Sequence, residues 1–189
     1  MQTQQETYSI SPTKQRIISA FRALGWLAFW VELAFTLGSG LVLIFASSGR
    51  NFSTELNPGI SIGIFWACCA VFALFANIFF AYRYTRIAKG LAKPNIEDHP
   101  SKSDTLKMLR LAVIVSLVGI LLGILGAGST VGVLVAKSVS QPPGVAITDA
   151  NRIIRALDVF VVVANLNGIA AHFVGVVTSL GLLSWLQHD

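Results

Sequence analysis

Long apolar runs alternate with short polar segments along the whole chain. The apolar runs cover residues 23–46, 60–81, 109–136 and 157–186. Crossing the roughly 30 Å hydrocarbon layer of a bilayer takes about 20 apolar residues in a helix, so each run is long enough to span. Turn-forming residues interrupt the pattern between runs, as at Pro58-Gly59 and at Gln141-Pro142-Pro143-Gly144. The pattern therefore predicts an all-α integral membrane protein with four transmembrane helices in one domain, residues 23–186.

The segment before the first run, residues 1–22, has a different pattern. Ser11-Pro12-Thr13 is typical of a helix start, and Ile17, Ile18 and Phe21 are spaced to form one apolar face. We expect a cytoplasmic arm that ends in an amphipathic first turn at the membrane interface. The first ten residues are polar and the run after Arg22 is longer than a signal-peptide core. We therefore expect no removable signal, and a first helix that stays as an anchor.

Composition agrees with the bilayer as the main partner. Of 189 residues, 54% are hydrophobic and only 12% are charged, whereas soluble domains are about a quarter charged. Neither a soluble nor a disordered chain fits these values. The net charge of +5 does not indicate nucleic acid, because the charges are confined to loops and helix ends.

The cations are unevenly distributed between the two sides of the membrane. Ten of the fourteen Lys and Arg residues belong to the N-terminal arm or to the middle polar segment, 82–108, with its flank. They are Lys14, Arg16, Arg22, Arg83, Arg86, Lys89, Lys93, Lys102, Lys107 and Arg110. The positive-inside rule then predicts that both termini and the basic 82–108 loop are cytoplasmic.

The two halves of the sequence resemble each other. A shift of 88 residues, the separation of Arg22 and Arg110, also aligns Pro12-Thr13-Lys14 with Pro100-Ser101-Lys102 and Ala76-Asn77 with Ala164-Asn165. Each half would be a helix hairpin, and two parallel repeats would be related by an axis along the membrane normal. Chance matching between sequences rich in Leu, Ala, Val and Gly is the alternative.

Two ionisable residues lie near the middle of predicted spans. Glu32 is the only acidic residue deep in a span, and His172 lies near the middle of the last one. An ionisable residue at mid-membrane marks a functional site by default, because burying its charge costs a few kcal/mol or more. Both are candidate ligands for a transported metal ion. The alternative is structural: a protonated Glu32 and a neutral His172, each making an interhelical hydrogen bond.

Other polar residues extend this candidate set. Asn77, Asn165, Asn167 and Cys68 lie within spans and are candidates either for a solute pathway or for helix packing. Carboxylate, imidazole and thiolate together suit a ferrous-type ion without identifying one. Asp158 lies at an outer helix end, where we expect an interfacial ion pair with Arg155.

Glycines form small-residue faces that predict close helix packing and oligomerisation. Gly119-x-x-x-Gly123 is one such face, and Gly38 with Gly40 is another. Gly168, Ala171 and Gly175 form a third. The sequence contains no phosphate-binding loop, nucleophile triad or cofactor fingerprint, so we expect neither an enzyme nor a bound cofactor.

Several segments of the last two spans carry a family resemblance. The stretch TVGVLVAK at 130–137, then ALDVF at 156–160, Asn167, His172-Phe173, Gly175 and Ser179-Leu180, resembles a family of cyanobacterial and plastid membrane proteins. Its plant member is the chloroplast inner-envelope protein described both as a permease and as a component of the import translocon. The likeness extends to Leu24-Gly25 and Phe29-Trp30 in the first span.

The resemblance implies four transmembrane helices and two competing roles, iron uptake or a part in protein import. Asp158, Asn167 and His172 match the family pattern, but the resemblance assigns them no function. No plastid transit peptide is evident, so we expect a relative in a bacterial plasma or thylakoid membrane. A bacterium has no chloroplast import to perform, which favours an oligomeric iron or other small-solute permease over a structural or assembly factor of a larger membrane complex.

Overall fold

The computed structural model describes residues 11–50, 58–94, 99–140 and 153–188. These residues form four helices: α1 (Pro12–Arg50), α2 (Pro58–Leu91), α3 (Lys102–Val139) and α4 (Ala156–His188). All four are long and apolar enough to cross a membrane. The predicted all-α fold with four transmembrane helices is confirmed.

Three of the four helices extend well past the apolar runs from which they were predicted, whereas α4 exceeds its run by only one residue at the start and two at the end. The shortest, α4, has 33 residues and the longest, α1, has 39, so they are about 50–58 Å long at 1.5 Å per residue. Since α2 continues to Leu91 and α3 begins at Lys102, most of the predicted 82–108 loop is helical. An α-helix satisfies its own backbone hydrogen bonds. It can therefore continue past the apolar run into the flanking segments that carry charged side chains.

The first predicted turn is part of α1. Pro12 is the first helical residue, and the Ser11 hydroxyl accepts a hydrogen bond from the Lys14 backbone N–H at 3.4 Å. Ser101 caps α3 in the same way through the Asp104 N–H. The amphipathic segment therefore continues directly into the first span.

The four helices form an antiparallel bundle. Helix α1 packs against α2 and α4, helix α3 packs against the same two, and α2 and α4 also meet across the short diagonal. Phe21, Tyr84, Leu109 and Leu182 pack together at one end, which therefore holds the start of α1, the α2–α3 connection and the end of α4. The start of α1 and the end of α4 thus lie at the same basic end, as the cation distribution predicts, whereas its cytoplasmic location stays a prediction.

Buried positions follow a heptad spacing, alternately three and four residues apart. In α2 they include residues 60, 63, 67, 70, 74, 77, 81, 84 and 88, and in α3 residues 105, 109, 112, 116, 119, 123, 126 and 130. This spacing keeps one narrow stripe of each helix facing the bundle, as in a coiled coil. The stripes consist largely of Gly, Ala, Ser, Thr and Asn, while large side chains such as Phe72, 73% exposed, face outward.

The proposed duplication fits this arrangement in part. Phe21 and Leu109, paired by the shift, are both buried in the same end cluster. Asn77 and Asn165, also paired, are both buried, and each has an unpartnered Oδ1. The helix caps, however, fall on Ser11 and Ser101, which the shift does not pair. Duplication stays a prediction.

Candidate functional site

A layer of polar residues crosses the centre of the bundle, with one position contributed by each helix. We call Glu32 (α1), Asn77 (α2), Ser116 (α3) and Gly175 (α4) the polar layer. A methyl group on Gly175 would lie 2.8 Å from Ser116 Oγ and 2.9 Å from both Asn77 Nδ2 and Glu32 Oε1. Three polar atoms therefore converge on the bare backbone of Gly175, which any larger residue would obstruct.

Hydrogen bonds connect this layer to His172. Asn77 Nδ2 donates to Ser116 Oγ at 2.9 Å and lies 3.0 Å from His172 Nδ1. On the opposite side of the ring, Nε2 lies 3.1 Å from the Ala70 carbonyl oxygen. A carbonyl can only accept, so Nε2 carries the proton, and Nδ1 accepts from the Asn77 amide. The arrangement thus fits the neutral imidazole.

Glu32 is the ionisable member of the polar layer, and part of its carboxyl group has no partner. The side chain is 1% exposed, and Oε2 makes no hydrogen bond. Neither salt bridge found in the described helices involves it. A bare carboxylate in a low-dielectric interior is costly unless it is paired. The geometry therefore favours the neutral acid at Glu32.

The polar layer is closed on all sides. Besides its own residues, Ala28, Phe80, Tyr84, Ala112, Thr178 and Ser179 enclose it. The space between these side chains does not admit a sphere of water size. Within the described helices the packing therefore leaves no room for a water molecule beside Glu32, and we call this the occluded arrangement.

Further polar contacts lie on both sides of the layer along the bundle. Toward the basic end, Tyr84 Oη and Ser179 Oγ are 2.8 Å apart. Toward the other end, Asn165 Nδ2 donates to the Val161 carbonyl at 2.9 Å and to the Gly63 carbonyl at 3.4 Å. Asn77 and Tyr84 are one heptad apart on α2, and Asn165, His172 and Ser179 recur at the same interval on α4.

Glycines on neighbouring helices accommodate these polar side chains. The His172 ring lies directly on Gly119, the Asn165 amide on Gly126 and the Thr130 hydroxyl on Gly63. The predicted face at Gly119 is thus a contact surface within the bundle. Among the described residues, nothing lies within 4 Å of where a methyl group would project from Gly38 or Gly40, so the close packing predicted there does not occur between the described helices.

The structure brings only some of the predicted site residues together. Glu32 and His172 share one cluster but do not bond to each other, because Asn77 lies between them. Cys68 packs in a separate apolar group with Leu43, Ala67 and Ala164. Asn167 is half-buried, and no hydrogen bond of its side chain is found. In the described parts of the chain, no three His, Cys, Asp or Glu residues group as a metal site would require.

Asp158 has a different ion partner from the one expected. Its Oδ2 lies 2.9 Å from Lys137 Nζ, and both side chains are largely buried. Arg155 contacts Asp158 only through its backbone: its N–H lies 3.4 Å from Asp158 Oδ2, and its carbonyl accepts from the Asp158 N–H at 3.0 Å. The prediction of an Arg155–Asp158 ion pair is wrong, because the end of α3 brings Lys137 against the first turn of α4.

Sequence reasoning did not single out Ser116 or Tyr84, and it noted Ser179 only as part of the family resemblance. Each is common in transmembrane helices and is unremarkable when taken alone. The heptad register was the available signal, since Tyr84 follows Asn77 by seven residues and Ser179 follows His172 by seven. Ser116 required knowledge of which helices are neighbours.

Comparisons with known proteins give the chain a family context. A family model described as protein of unknown function (DUF3611) matches residues 11–187. The chain is 31% identical over 169 residues to "Protein TIC 21, chloroplastic" of Arabidopsis thaliana. That match covers 86% of this chain and 55% of the relative, so the chain spans about half the length of the curated protein. No solved structure matches.

Proposed function

Because the chain belongs to the family described as protein of unknown function DUF3611, we propose for it a function that the family description leaves open. It is a permease-like integral membrane protein that passes a small cation, iron first among the candidates, through the polar layer. Its membrane is a bacterial plasma or thylakoid membrane, or the plastid membrane that corresponds to it. Iron is the first candidate because iron uptake is one of the two roles implied by the family that the sequence resembles.

The buried, half-unpartnered carboxyl group of Glu32 carries this proposal. A residue needed only for packing would satisfy both oxygens or be replaced by an apolar side chain, since each unsatisfied buried polar atom costs about 1–3 kcal/mol. An ionisable group retained at mid-membrane therefore points to a function that uses its charge.

The atoms near Glu32 suit a ferrous-type ion in part. Carboxylate, amide and hydroxyl oxygens and one imidazole nitrogen lie in adjoining positions, and such oxygen and nitrogen ligands bind hard to borderline divalent cations. The layer holds fewer charged ligands than a resident metal site has. Weak coordination is what passage requires, because a transported ion must leave as well as bind.

Transport also requires a second conformation. The occluded arrangement has to open to each side in turn, and an inward or outward shift of one hairpin against the other is the simplest such motion. In an oligomer, neighbouring copies would support the moving hairpin, since four helices alone make a thin wall around a path.

Iron uptake into proteoliposomes tests the proposal. Purified protein is reconstituted, and entry of radioactive Fe²⁺ is compared for the parent, Glu32→Gln and His172→Ala. The parent takes up iron, and both variants lose about 90% or more of the rate, because each removes a ligand of the central cluster. Asn167→Ala, an amide on α4 outside the hydrogen-bonded cluster, is the matched control and retains uptake. Absence of uptake by the parent rejects the proposal.

A structural role in a larger membrane complex is the second candidate. Its support is the compact core, in which polar side chains fit glycine surfaces with no room for water. Such packing is typical of a rigid scaffold. Purification in mild detergent followed by identification of bound proteins separates the two. A stable partner in fixed proportion favours assembly, whereas a homo-oligomer that binds iron favours transport.

A further inference from the structure

Glu32 is the only carboxyl group at the bundle centre among the described residues. The titratable groups facing it are Tyr84 from α2 and His172 from α4, while α3 presents only the Ser116 hydroxyl. On its own helix, the Thr36 hydroxyl donates to the Glu32 backbone carbonyl at 2.6 Å and leaves the carboxyl group untouched. The described lining of the layer includes no Lys or Arg.

His172 does not supply the missing positive charge. Its Nε2–H donates to the Ala70 carbonyl, and its Nδ1 is occupied by the Asn77 amide. A protonated imidazole would carry a proton on Nδ1 as well as on Nε2. In the present arrangement that proton would point at the Asn77 amide N–H, which is itself a donor. With the Asn77 amide in this orientation, the hydrogen bonds fit a neutral His172, and Glu32, with no Lys or Arg in the described lining, fits the neutral acid.

We infer that Glu32 is a proton–cation exchange site: the occluded bundle holds a proton on this carboxyl group, and a divalent cation entering the polar layer displaces it. This inference rests on the proposed function and names its coupling. The O–H bond of the Glu32 acid breaks, and its electron pair stays on the carboxylate oxygen, which then coordinates the cation. The proton leaves to water on the side to which the layer is open. Nothing is oxidised or reduced.

Charge balance gives the exchange its direction. A divalent cation that enters a neutral layer brings two positive charges into the low-dielectric core. Ionisation of Glu32 places one negative charge beside the cation, which compensates one of them. When the cation leaves, the uncompensated carboxylate has to be reprotonated before the bundle closes again. Each cation that passes is therefore matched by at least one proton moving the opposite way.

Proton release on metal binding tests the exchange without requiring transport. The full chain in detergent micelles, in a weakly buffered solution at pH 7 with a pH indicator dye, is titrated with Mn²⁺, which does not oxidise under these conditions. The parent releases about one proton per bound Mn²⁺. Glu32→Gln releases none and binds at least about tenfold more weakly. Glu32→Asp keeps the carboxyl group and still releases a proton, and Asn167→Ala behaves as the parent.

Infrared spectroscopy gives a second readout. The difference between the parent and Glu32→Gln contains the carbonyl band of a protonated carboxylic acid at neutral pH, and Mn²⁺ removes that band from the parent. Absence of the band, Mn²⁺ binding without proton release, or failure of Mn²⁺ to bind each overturns the exchange site. Proton release without Fe²⁺ uptake in proteoliposomes would reject the transport function alone, whereas uptake without proton release would reject the exchange alone.

Discussion

Several buried polar side chains of the bundle fit against a glycine on a neighbouring helix. Without a hydrophobic difference between lipid and protein interior, transmembrane helices associate through close packing and interhelical hydrogen bonds. Glycine allows both, because it brings the backbones together and leaves room for an amide, imidazole or hydroxyl group. At Gly119 the side chain accommodated is His172, and that contact orients the ring toward Asn77.

An added methyl group at Gly119 is expected to destabilise the protein. In Gly119→Ala the new carbon would collide with the imidazole ring, so His172 must move away from Asn77 and Ala70. Overpacking of this kind costs about 1–3 kcal/mol in the free energy of unfolding. Equilibrium unfolding in detergent measures the loss.

The matched control lies on the same helix. Nothing lies within 4 Å of where the methyl group would project in Gly128→Ala, and alanine favours helix over glycine by about 1 kcal/mol. This variant is expected to keep or gain stability. Equal losses of stability in Gly119→Ala and Gly128→Ala would contradict this explanation. They would show that the glycines of α3 matter for its backbone conformation and not for the contact with His172.

At the scale of helices, the buried ion pair between Lys137 and Asp158 joins two helix ends. Lys137 lies in the last turn of α3, and Asp158 lies in the first turn of α4. Each charge faces the favourable end of its own helix dipole as well as its partner. Their side chains are 10% and 8% exposed, so the pair is shielded from water and closes the end of the bundle opposite the basic end.

Removing the lysine should be costly. Lys137→Met leaves the Asp158 carboxylate buried without a cation, a change that lowers the free energy of unfolding by about 3 kcal/mol. Lys107→Met is the control, because Lys107 pairs with Asp104 at 3.9 Å where both side chains are more than three-quarters exposed. Such surface pairs contribute little. Comparable unfolding midpoints for the two variants would contradict a stabilising role for the Lys137–Asp158 pair.

The bundle as a whole inverts the arrangement of a soluble protein. Its interior stripes carry small and polar residues, and its exterior carries the large apolar ones, because lipid solvates Phe, Leu and Ile as well as a protein core does. Antiparallel packing then places the start of α1, the end of α2, the start of α3 and the end of α4 at one end of the bundle. The excess of Lys and Arg at that end predicts that it faces the cytoplasm.

Site-directed labelling checks this orientation. In a background with Cys68→Ser and Cys69→Ser, single cysteines are introduced at Ser103, near the start of α3, and at Ser138, near its end; both positions are exposed. A membrane-impermeant maleimide added to intact cells should label Ser138→Cys and spare Ser103→Cys until the cells are opened. The reverse pattern would place the basic end outside, against the positive-inside rule.

The amino-acid sequence alone determined the number of spans, their approximate limits and the end at which the cations gather. These properties follow from local hydropathy and charge, because each segment interacts with the bilayer through its own side chains. The sequence also marked Glu32, His172 and Asn77, because ionisable and amide groups are rare at such depth.

Only the tertiary structure decided which of these groups meet. Hydrogen-bond partners, the convergence on Gly175 and the pairing of Asp158 with Lys137 depend on which helices are neighbours and on their axial register. Every helix is apolar over most of its surface, so hydropathy distinguishes no face. The glycine surfaces and heptad stripes set the register through contacts between segments far apart in the chain, and the polar layer exists only once those contacts form.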